Sequence, residues 1–409
     1  MRYLNFRKSS KTKLLSSYRN ANKGRPSFIG ITGDPGVGKT EFINSFIEDL
    51  KGEKTILVGT SQEFSTTLTF HTVEQIFSSL IKFDFMDSKK IKTNKIEKFI
   101  SSLKTKESEH DKNFLKYIFN AKLKKSIYQK FDNLKSQQRL NELNKLFSKI
   151  LGEYSKKKQI IIIIENFQWI DKASKEFFQF LISNIKSGNI FVLFLSRGKE
   201  SFAKVEINDL ITLTNFDRID SIKLISDILI PKKLPPKIIS KIFKLSGGNP
   251  FIIKEIIHSF VLNDSIDLLG NNSLTVNEVL KQRFSNLTKD ELDFLQFASI
   301  FGNDFPVKII QKNFPGKNTK LILNSLINKE IIKKKMCRNA LCIKFYDYSF
   351  SHILYKDYFY SLISVKKRAE LHGKAGTEIE NLIFKNTKRY LDLLLFHFKK
   401  SDLQEKYLY

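Results

Sequence analysis

Short apolar segments alternate with amphipathic ones through the first half of this 409-residue chain. Five segments have the length and apolar content of strands, at 27–32, 54–59, 159–164, 189–195 and 209–213. Segment 41–51 instead repeats its apolar residues at helical spacing, and a glycine follows it. The isoleucine run in the third strand segment is typical of a strand buried on both faces of a parallel sheet. The alternation predicts an α/β three-layer core, in which a parallel sheet lies between helices.

Beyond residue 217 the pattern becomes helical. Thr288 and Glu291 have the spacing of a capping box that opens a helix, and further helices are expected near 307–313 and 320–328. Segments 331–336 and 341–346 then resemble the two strands of a hairpin. Three helices followed by a hairpin predict a winged-helix unit.

These patterns divide the chain into five parts. We expect a basic N-terminal segment at 1–24 and a core at 25–217 that carries a lysine-rich helical insertion at 83–158. A helical lid at 218–268, a winged-helix-like domain at 269–350 and C-terminal helices at 351–409 follow. The last helices resemble the start of a TPR-like array, which favours the expectation that this chain is a piece of a longer protein.

A glycine-rich loop follows the first predicted strand and precedes the predicted helix. It matches the pattern G-x-x-x-x-G-K-[ST] in full, as Gly33-Asp34-Pro35-Gly36-Val37-Gly38-Lys39-Thr40. In such a loop the backbone N–H groups converge on a phosphate, and the helix N-terminus adds its dipole. Lys39 is expected to reach the β- and γ-phosphates, and the Thr40 hydroxyl to bind Mg²⁺. The alternative is a strand–helix turn that binds no ligand.

A carboxylate stands where the third strand segment ends. Glu165 is expected to hold Mg²⁺ through its water shell or to polarise an attacking water, and Asn166 follows it. A surface carboxylate without such a role is the alternative for Glu165. Asp171, with Ser174 three residues on, is expected to cap the next helix. Trp169, the only tryptophan, is expected to serve packing.

The net charge of +28 raises the possibility of nucleic-acid binding. Few of the 70 basic residues are arginine, and the lysines are spread along the whole chain, which favours a compositional bias instead. Cys337 and Cys342 are too few for a disulfide framework or a metal cluster. No apolar run reaches the ~18 residues that a membrane span needs. We expect a cytoplasmic protein.

The loop and the block from Glu165 to Ser174 together resemble the signal-transducing (STAND) branch of the P-loop ATPases. The likeness is to the Orc1-like AAA ATPase module found beside adenylate cyclases, regulatory kinases and LuxR-type regulators. Five later segments resemble blocks of that module in the same order, at 189–197, 246–251, 294–305, 348–352 and 368–372. The ordered set, which covers nearly the whole chain, carries the resemblance.

The resemblance implies ATP and ADP as ligands and adds site residues. Arg197 would sense the γ-phosphate, His352 would report the nucleotide state, and Gly248, Asn249 and Pro250 would line the adenine side. Each has a structural alternative: a surface charge for Arg197, a packed histidine for His352 and a helix-stopping turn for the Gly-Asn-Pro segment. His372 is expected to be structural. The resemblance also implies an effector partner of cyclase, kinase or regulator type.

One departure concerns rate. The family usually has Asp where this chain has Asn166, and a neutral amide orients water less strongly than a carboxylate. The leading hypothesis is therefore a regulatory ATPase that holds its nucleotide and hydrolyses it slowly. A DNA-binding initiator or transcription regulator is the alternative, with helix 320–329 and the basic residues Lys333, Lys334, Lys335 and Arg338 as its contacts. A scaffold that binds nucleotide without hydrolysis is the third.

Overall fold

The computed structural model describes most of the chain. The described residues are 6–403 except 64–65, 67–68, 85–86, 104–108, 204, 230–233, 264–274, 315–317, 335–346 and 384–390. Several expectations fall outside them: Cys337, Cys342, Lys335, Arg338 and the strand predicted at 341–346. Within the described part, no helix has both the length and the apolar content to cross a membrane.

Five parallel strands form the central sheet: β1 (Ser27–Thr32), β2 (Lys54–Thr60), β3 (Gln159–Glu165), β4 (Ile190–Ser196) and β5 (Asp209–Thr212). Their spatial order is β2-β3-β4-β1-β5. The α/β core predicted from the sequence is therefore confirmed. Because all strands run the same way, the loop after β1 lies at the same sheet edge as the ends of β3 and β4.

Helices cover both faces of the sheet. On one face α1 (Lys8–Asn22) and α2 (Lys39–Asp49) pack against the odd-numbered residues of β3 and β4, such as Ile161 and Phe191. On the other, α3 (His71–Ile81) and α8 (Lys172–Asn184) pack against even-numbered ones, such as Ile162. The sequence placed residues 1–24 outside the core. In the structure α1 instead contributes buried Leu14 and Ala21 to it, because its apolar residues repeat at helical spacing.

The lysine-rich insertion is helical, as expected. It comprises α4 (Lys89–Leu103), α5 (Glu109–Ile118), α6 (Lys125–Asp132) and α7 (Ser136–Ser155). Its phenylalanines Phe99, Phe114, Phe131 and Phe147 are buried, and Phe147 stacks on Phe77 of α3 with ring centroids 3.7 Å apart. The lysines form the outer face of a unit that shares the core of the sheet.

The rest of the chain surrounds a second core. Its helices are α9 (Arg218–Leu229), α10 (Pro236–Ser246), α11 (Pro250–Asn263), α12 (Val276–Arg283), α13 (Lys289–Ile300), α14 (Val307–Lys312), α15 (Thr319–Asn328), α16 (Ile353–Ser361), α17 (Val365–Ile383) and α18 (Leu391–Lys399). One apolar cluster joins residues of α11, α13, α16 and α18. The capping box at Thr288 is confirmed, since its hydroxyl accepts from the Glu291 N–H.

A small antiparallel sheet lies inside this second half. It contains β6 (Asp304–Phe305), β7 (Ile332–Lys334) and β8 (Tyr348–Phe350), in the order β6-β8-β7. β7 pairs with β8. The pairing predicted between 331–336 and 341–346 stays a prediction, since 341–346 lies outside the described residues. The winged-helix assignment of this region stays a prediction.

Candidate functional site

The glycine-rich loop connects β1 to α2 and needs its glycines. Gly36 and Gly38 have φ of 82° and 90°, which side chains other than glycine adopt only with strain. A Cβ atom at Gly36 would also lie 2.8 Å from the Phe251 Cβ and 2.9 Å from the Asn249 Oδ1. With α2 beginning at Lys39, the first helical N–H groups face the same cleft as the loop. The arrangement is a backbone cradle for an anion.

Lys39 lies within this loop. Its Nζ donates to the carbonyl oxygens of Gly33, at 2.5 Å, and Asp34, at 3.1 Å. Burial, with the positive charge of Arg197 added, lowers the pKa of Lys39 to about 8, and Asp34 partly opposes this. A bound anion would therefore stabilise the charged form of the Lys39 ammonium group.

The ligand types that Mg²⁺ prefers line the same cleft. Thr40 supplies a hydroxyl from the first turn of α2, and Glu165 supplies a carboxylate from the end of β3. The Thr60 hydroxyl donates to Glu165 Oε2 at 3.3 Å, which orients that carboxylate. These two residues therefore fit the ion.

Asn166 lies beside Glu165 in a left-handed conformation, with φ 53° and ψ 47°. Asparagine tolerates this backbone better than most residues. Its Nδ2 donates to the Ser61 carbonyl oxygen at 3.3 Å, and the residue lines the cleft. The amide thus ties the end of β3 to the loop after β2.

Asp171 has the structural role that the sequence predicted. Its fully buried carboxylate accepts from the Ser174 N–H at 2.8 Å and so caps α8. It also accepts from the Phe70 N–H at 2.8 Å, at the start of α3. One side chain therefore holds two helices of the same face together.

Arg197 follows β4 and faces the cleft. Its Nη2 lies 3.0 Å from Oδ2 of Asp357 on α16, and its guanidinium lies over the Trp169 ring, 5.1 Å from the centroid. Its backbone is fixed on both sides, since Thr32 Oγ1 donates to its carbonyl and its N–H donates to Gln168 Oε1. The backbone is anchored, and the side chain bridges to the second half of the chain.

The Gly-Asn-Pro segment lies directly behind the loop. The Asn249 Nδ2 donates to the Pro35 carbonyl oxygen at 3.1 Å, and the Phe251 N–H donates to that of Gly36 at 3.2 Å. Gly248 packs so closely on Phe216 that its carbonyl accepts the Phe216 N–H. Pro250 opens α11. These residues support the loop from behind, and their predicted adenine contact stays a prediction.

His352 caps α16 from the opposite side of the cleft. Its Nδ1 accepts from the Leu354 N–H at 3.2 Å, and its ring stacks on Phe251 with centroids 4.2 Å apart. Burial, followed by the charge of Lys254, lowers the pKa of His352 to about 4. The imidazole is therefore neutral at pH 7 and touches the residue that holds the loop. The structure thus brings His352 and Arg197 to one cleft with Lys39.

The cleft has a volume of about 670 Å³ and separates two walls. The sheet wall comprises the loop and the ends of β3 and β4. The C-terminal wall is formed by segments that are far from the glycine-rich loop in sequence. Its polar lining includes Asp304, Lys333, Lys334, His352, Lys356 and Lys400. Lys400 also bridges the walls through Glu63, at 2.6 Å.

Sequence reasoning missed contributors on both walls. Arg7 Nη2 donates to the carbonyl oxygens of Val37 and Thr214, each at 2.8 Å, and Phe6 stacks on Phe216. Arg7 stood in a stretch interpreted as merely basic, and no signal in the sequence set it apart from the other basic residues there. Lys356 and Asp357 gave no signal, because only the fold brings α16 beside Arg197.

One protein family has a model that matches the first half of the chain. Residues 4–193 match the family described as "AAA ATPase domain". No curated protein matches the sequence.

Solved structures resemble the fold of the chain. A signal transduction ATPase with numerous domains (STAND) protein with a tetratricopeptide repeat sensor, from Pyrococcus horikoshii, is 17% identical with a TM-score of 0.53. The match covers 97% of this chain and 48% of that one, so this chain spans about half its length. The Orc1 protein of Aeropyrum pernix, solved in complex with DNA, is 9% identical with a TM-score of 0.37, over 87% of this chain and 92% of its own. The Aeropyrum pernix Orc2 protein is 10% identical with a TM-score of 0.38, over 87% and 94%.

The sheet order, the glycine-rich loop after β1 and the family match agree with one another and with the resemblance seen in the sequence. The chain thus has a P-loop NTPase fold, and its residues 4–193 match the AAA ATPase domain family.

Proposed function

We propose that this protein is a regulatory ATPase that binds ATP, hydrolyses it slowly and changes conformation with the bound nucleotide. The observation that carries the proposal is the pair of hydrogen bonds from Asn249 and Phe251 to the carbonyls of Pro35 and Gly36. Through them the phosphate-binding loop is joined to the first turn of α11. A change in the loop is therefore felt by the second half of the chain.

Nucleotide binding rests on the sheet wall. The N–H groups of the loop and of the first turn of α2 would hold the β-phosphate, and Lys39 would contact the β- and γ-phosphates. Thr40 and Glu165 would hold Mg²⁺, which when bound neutralises phosphate charge. The purine is proposed to be adenine, in keeping with the AAA ATPase domain.

Coupling rests on packing. α11 belongs to the same apolar cluster as α13 and α16, so it cannot move alone without exposing apolar surface. Phe251 contacts both the loop, through Gly36, and the His352 ring on the C-terminal wall. The helices packed around α11 can adopt two arrangements only if each arrangement is stabilised by contacts that the other lacks. We propose that the γ-phosphate supplies such contacts in one of the two arrangements.

Slow hydrolysis rests on Asn166. Its side chain is a neutral amide, which cannot accept a proton from water as a carboxylate does. Its Nδ2 is already engaged, because it donates a hydrogen bond to the Ser61 carbonyl oxygen. We propose that nucleotide is held long enough for its state to act as a signal. The partner would be an effector of cyclase, kinase or regulator type.

DNA binding is not the function that these contacts favour. On α15, Ser325 and the neighbouring Lys329 both donate to the Glu291 carboxylate, at 2.6 Å and 2.7 Å, and so are engaged within the protein. Lys333 and Lys334 line the cleft. The exposed polar residues of α15 that remain are Lys320, Asn324 and Asn328. One lysine is little charge for a phosphate backbone.

Calorimetry with ATP and Mg²⁺ tests the proposal. The Lys39→Ala variant should lose about tenfold or more in affinity, because a hydrogen bond to a charged group is worth about 1.5–3 kcal/mol. Lys51→Ala is the matched control, since this exposed lysine lies just beyond the other end of α2. Absence of binding to the unaltered protein, or equal loss in both variants, would refute the proposal. Mass spectrometry of nucleotide that copurifies with the protein would identify the base.

A further inference from the structure

Asp357 holds two cations at once. Its Oδ2 lies 3.0 Å from the Arg197 Nη2, and its Oδ1 lies 3.3 Å from the Lys356 Nζ. Arg197 belongs to the sheet wall and Lys356 to the C-terminal wall. This carboxylate therefore connects the end of β4 to α16.

Both cations also face the candidate phosphate site. Arg197 and Lys356 line the same cleft as Lys39, and Arg197 is near enough to depress the pKa of Lys39. The Lys356 side chain is only 11% exposed, and its Nζ lies 5.1 Å from the centroid of the Tyr360 ring. A buried lysine beside a single shared carboxylate is poised to accept a second anion.

We propose that Lys356 and Asp357 set the preference of this site for a nucleoside triphosphate over a diphosphate. The γ-phosphate competes with the Asp357 carboxylate for Arg197 and for Lys356, and a diphosphate has no group with which to compete. The inference rests on the proposed function, and it adds two residues of α16 to the site.

The γ-phosphate should bind Arg197 more strongly than the Asp357 carboxylate does. A terminal phosphate offers three oxygens and more negative charge than a carboxylate, and a guanidinium fork binds both anions in the same geometry. The Arg197–Asp357 pair is weak enough to be displaced, since the two side chains are 31% and 32% exposed. Because the Arg197 backbone is fixed by Thr32 and Gln168, only its side chain has to move.

The consequence is a signal that depends on the γ-phosphate. When Arg197 leaves Asp357, α16 loses its ion pair to the sheet wall, while Lys356 draws the helix toward the phosphate. Trp169 reports this step, because it is the only tryptophan of the chain and lies under the Arg197 guanidinium.

Asp357→Asn is the first test, with affinities for a non-hydrolysable ATP analogue and for ADP measured by calorimetry. Loss of the competing charge should raise analogue affinity about tenfold while ADP affinity stays within about twofold. Asp293→Asn is the matched control. Its carboxylate is also 32% exposed and lies 3.5 Å from Lys367, away from the cleft. It should change neither affinity.

Lys356→Gln is the second variant, and it should weaken the analogue about fivefold with ADP unchanged. In the unaltered protein, the analogue but not ADP should change Trp169 fluorescence, and Arg197→Ala should remove that difference. If Asp357→Asn alters both affinities equally or neither, the inference is wrong while the proposed function stands. If the unaltered protein binds neither nucleotide, the proposed function fails and takes the inference with it.

Discussion

The two walls of the cleft are built in different ways. The sheet wall comes mainly from three short segments at the carboxyl ends of β1, β3 and β4, each positioned by its own strand. The C-terminal wall comes from β6, β7, α16 and α18, which are far apart in sequence. The chemistry of the first wall is fixed by local backbone geometry, and that of the second by the packing of the second core. Changes to the second wall should therefore propagate through packing rather than remain local.

The walls also differ in charge. The sheet wall combines Lys39 and Arg197 with Glu41 and Glu165, which suits an anion that arrives with a metal ion. The C-terminal wall is dominated by lysines, with Asp304 its acidic lining residue among those described. A polyphosphate placed between the walls would be attracted by both, so the ligand itself would stabilise the closed cleft.

The largest effect is expected from Arg283→Met. Arg283 Nε lies 2.8 Å from Glu255 Oε2, both side chains are under a tenth exposed, and Tyr355 also donates to Glu255. Breaking a buried pair leaves a charge uncompensated, so unfolding should become easier by about 3–5 kcal/mol. Lys312→Met removes an exposed pair with Glu378 and should cost below about 1 kcal/mol.

Hydrogen exchange on this variant tests whether the second core can loosen while the central sheet stays intact. Amides of α11 and α16 should lose protection while those of β1, β3 and β4 keep it. Equal loss of protection in the sheet would mean that the two halves unfold as one unit, and that the sheet wall also depends on the second core.

Gly36→Ala should give the next largest effect, on the sheet wall. The positive φ costs alanine about 1–2 kcal/mol, and the close approach to Phe251 and Asn249 adds overpacking. Nucleotide affinity should fall as well. Gly52→Ala separates the causes, because Gly52 has φ 88° but nothing within 4 Å of its added Cβ. Similar losses in the two variants, measured by urea unfolding, would mean that the contact with Phe251 and Asn249 contributes nothing.

Acid should weaken the C-terminal half. Burial lowers the pKa of His372 to about 3, and burial also holds the pKa of His397 well below its usual range. Their Nδ1 atoms lie 3.0 Å apart, which requires one ring to accept. Because the unfolded chain takes up protons that the folded one refuses, stability is full above about pH 6.5 and falls as pH drops toward 3.

His372→Gln should therefore flatten the pH dependence. Between pH 7.5 and 5, one such histidine accounts for about 2 kcal/mol of unfolding free energy. His110→Gln is the control, since His110 is exposed and lies in the insertion. An unchanged slope in His372→Gln would show that this pair does not set the acid sensitivity.

The same contrast explains what could be predicted from sequence. Strands, the loop and Glu165 were predictable, because each depends on a pattern within about ten residues. The pairing of β7 with β8 was not, since antiparallel registers depend on tertiary contacts. The role of Asp357 could not be predicted either, because in the sequence it is an ordinary acidic residue of a helix. Only the packing of the second core places it beside Arg197. The family resemblance located Asn249, but only the structure indicated that its amide supports the loop from behind.

The smallest effect is expected from Asn166→Asp, and it concerns rate. A carboxylate can orient an attacking water and accept a proton from it. Turnover of ATP should therefore rise about fivefold, which is less than the tenfold change that about 1.4 kcal/mol of activation free energy would give. The change also removes the donor to Ser61, so unfolding should become easier by about 1 kcal/mol. Asn166→Ala loses the same donor without gaining a carboxylate and is the matched control. If both variants turn over ATP at the same rate, Asn166 does not position the water, and slow hydrolysis has to arise elsewhere on the sheet wall.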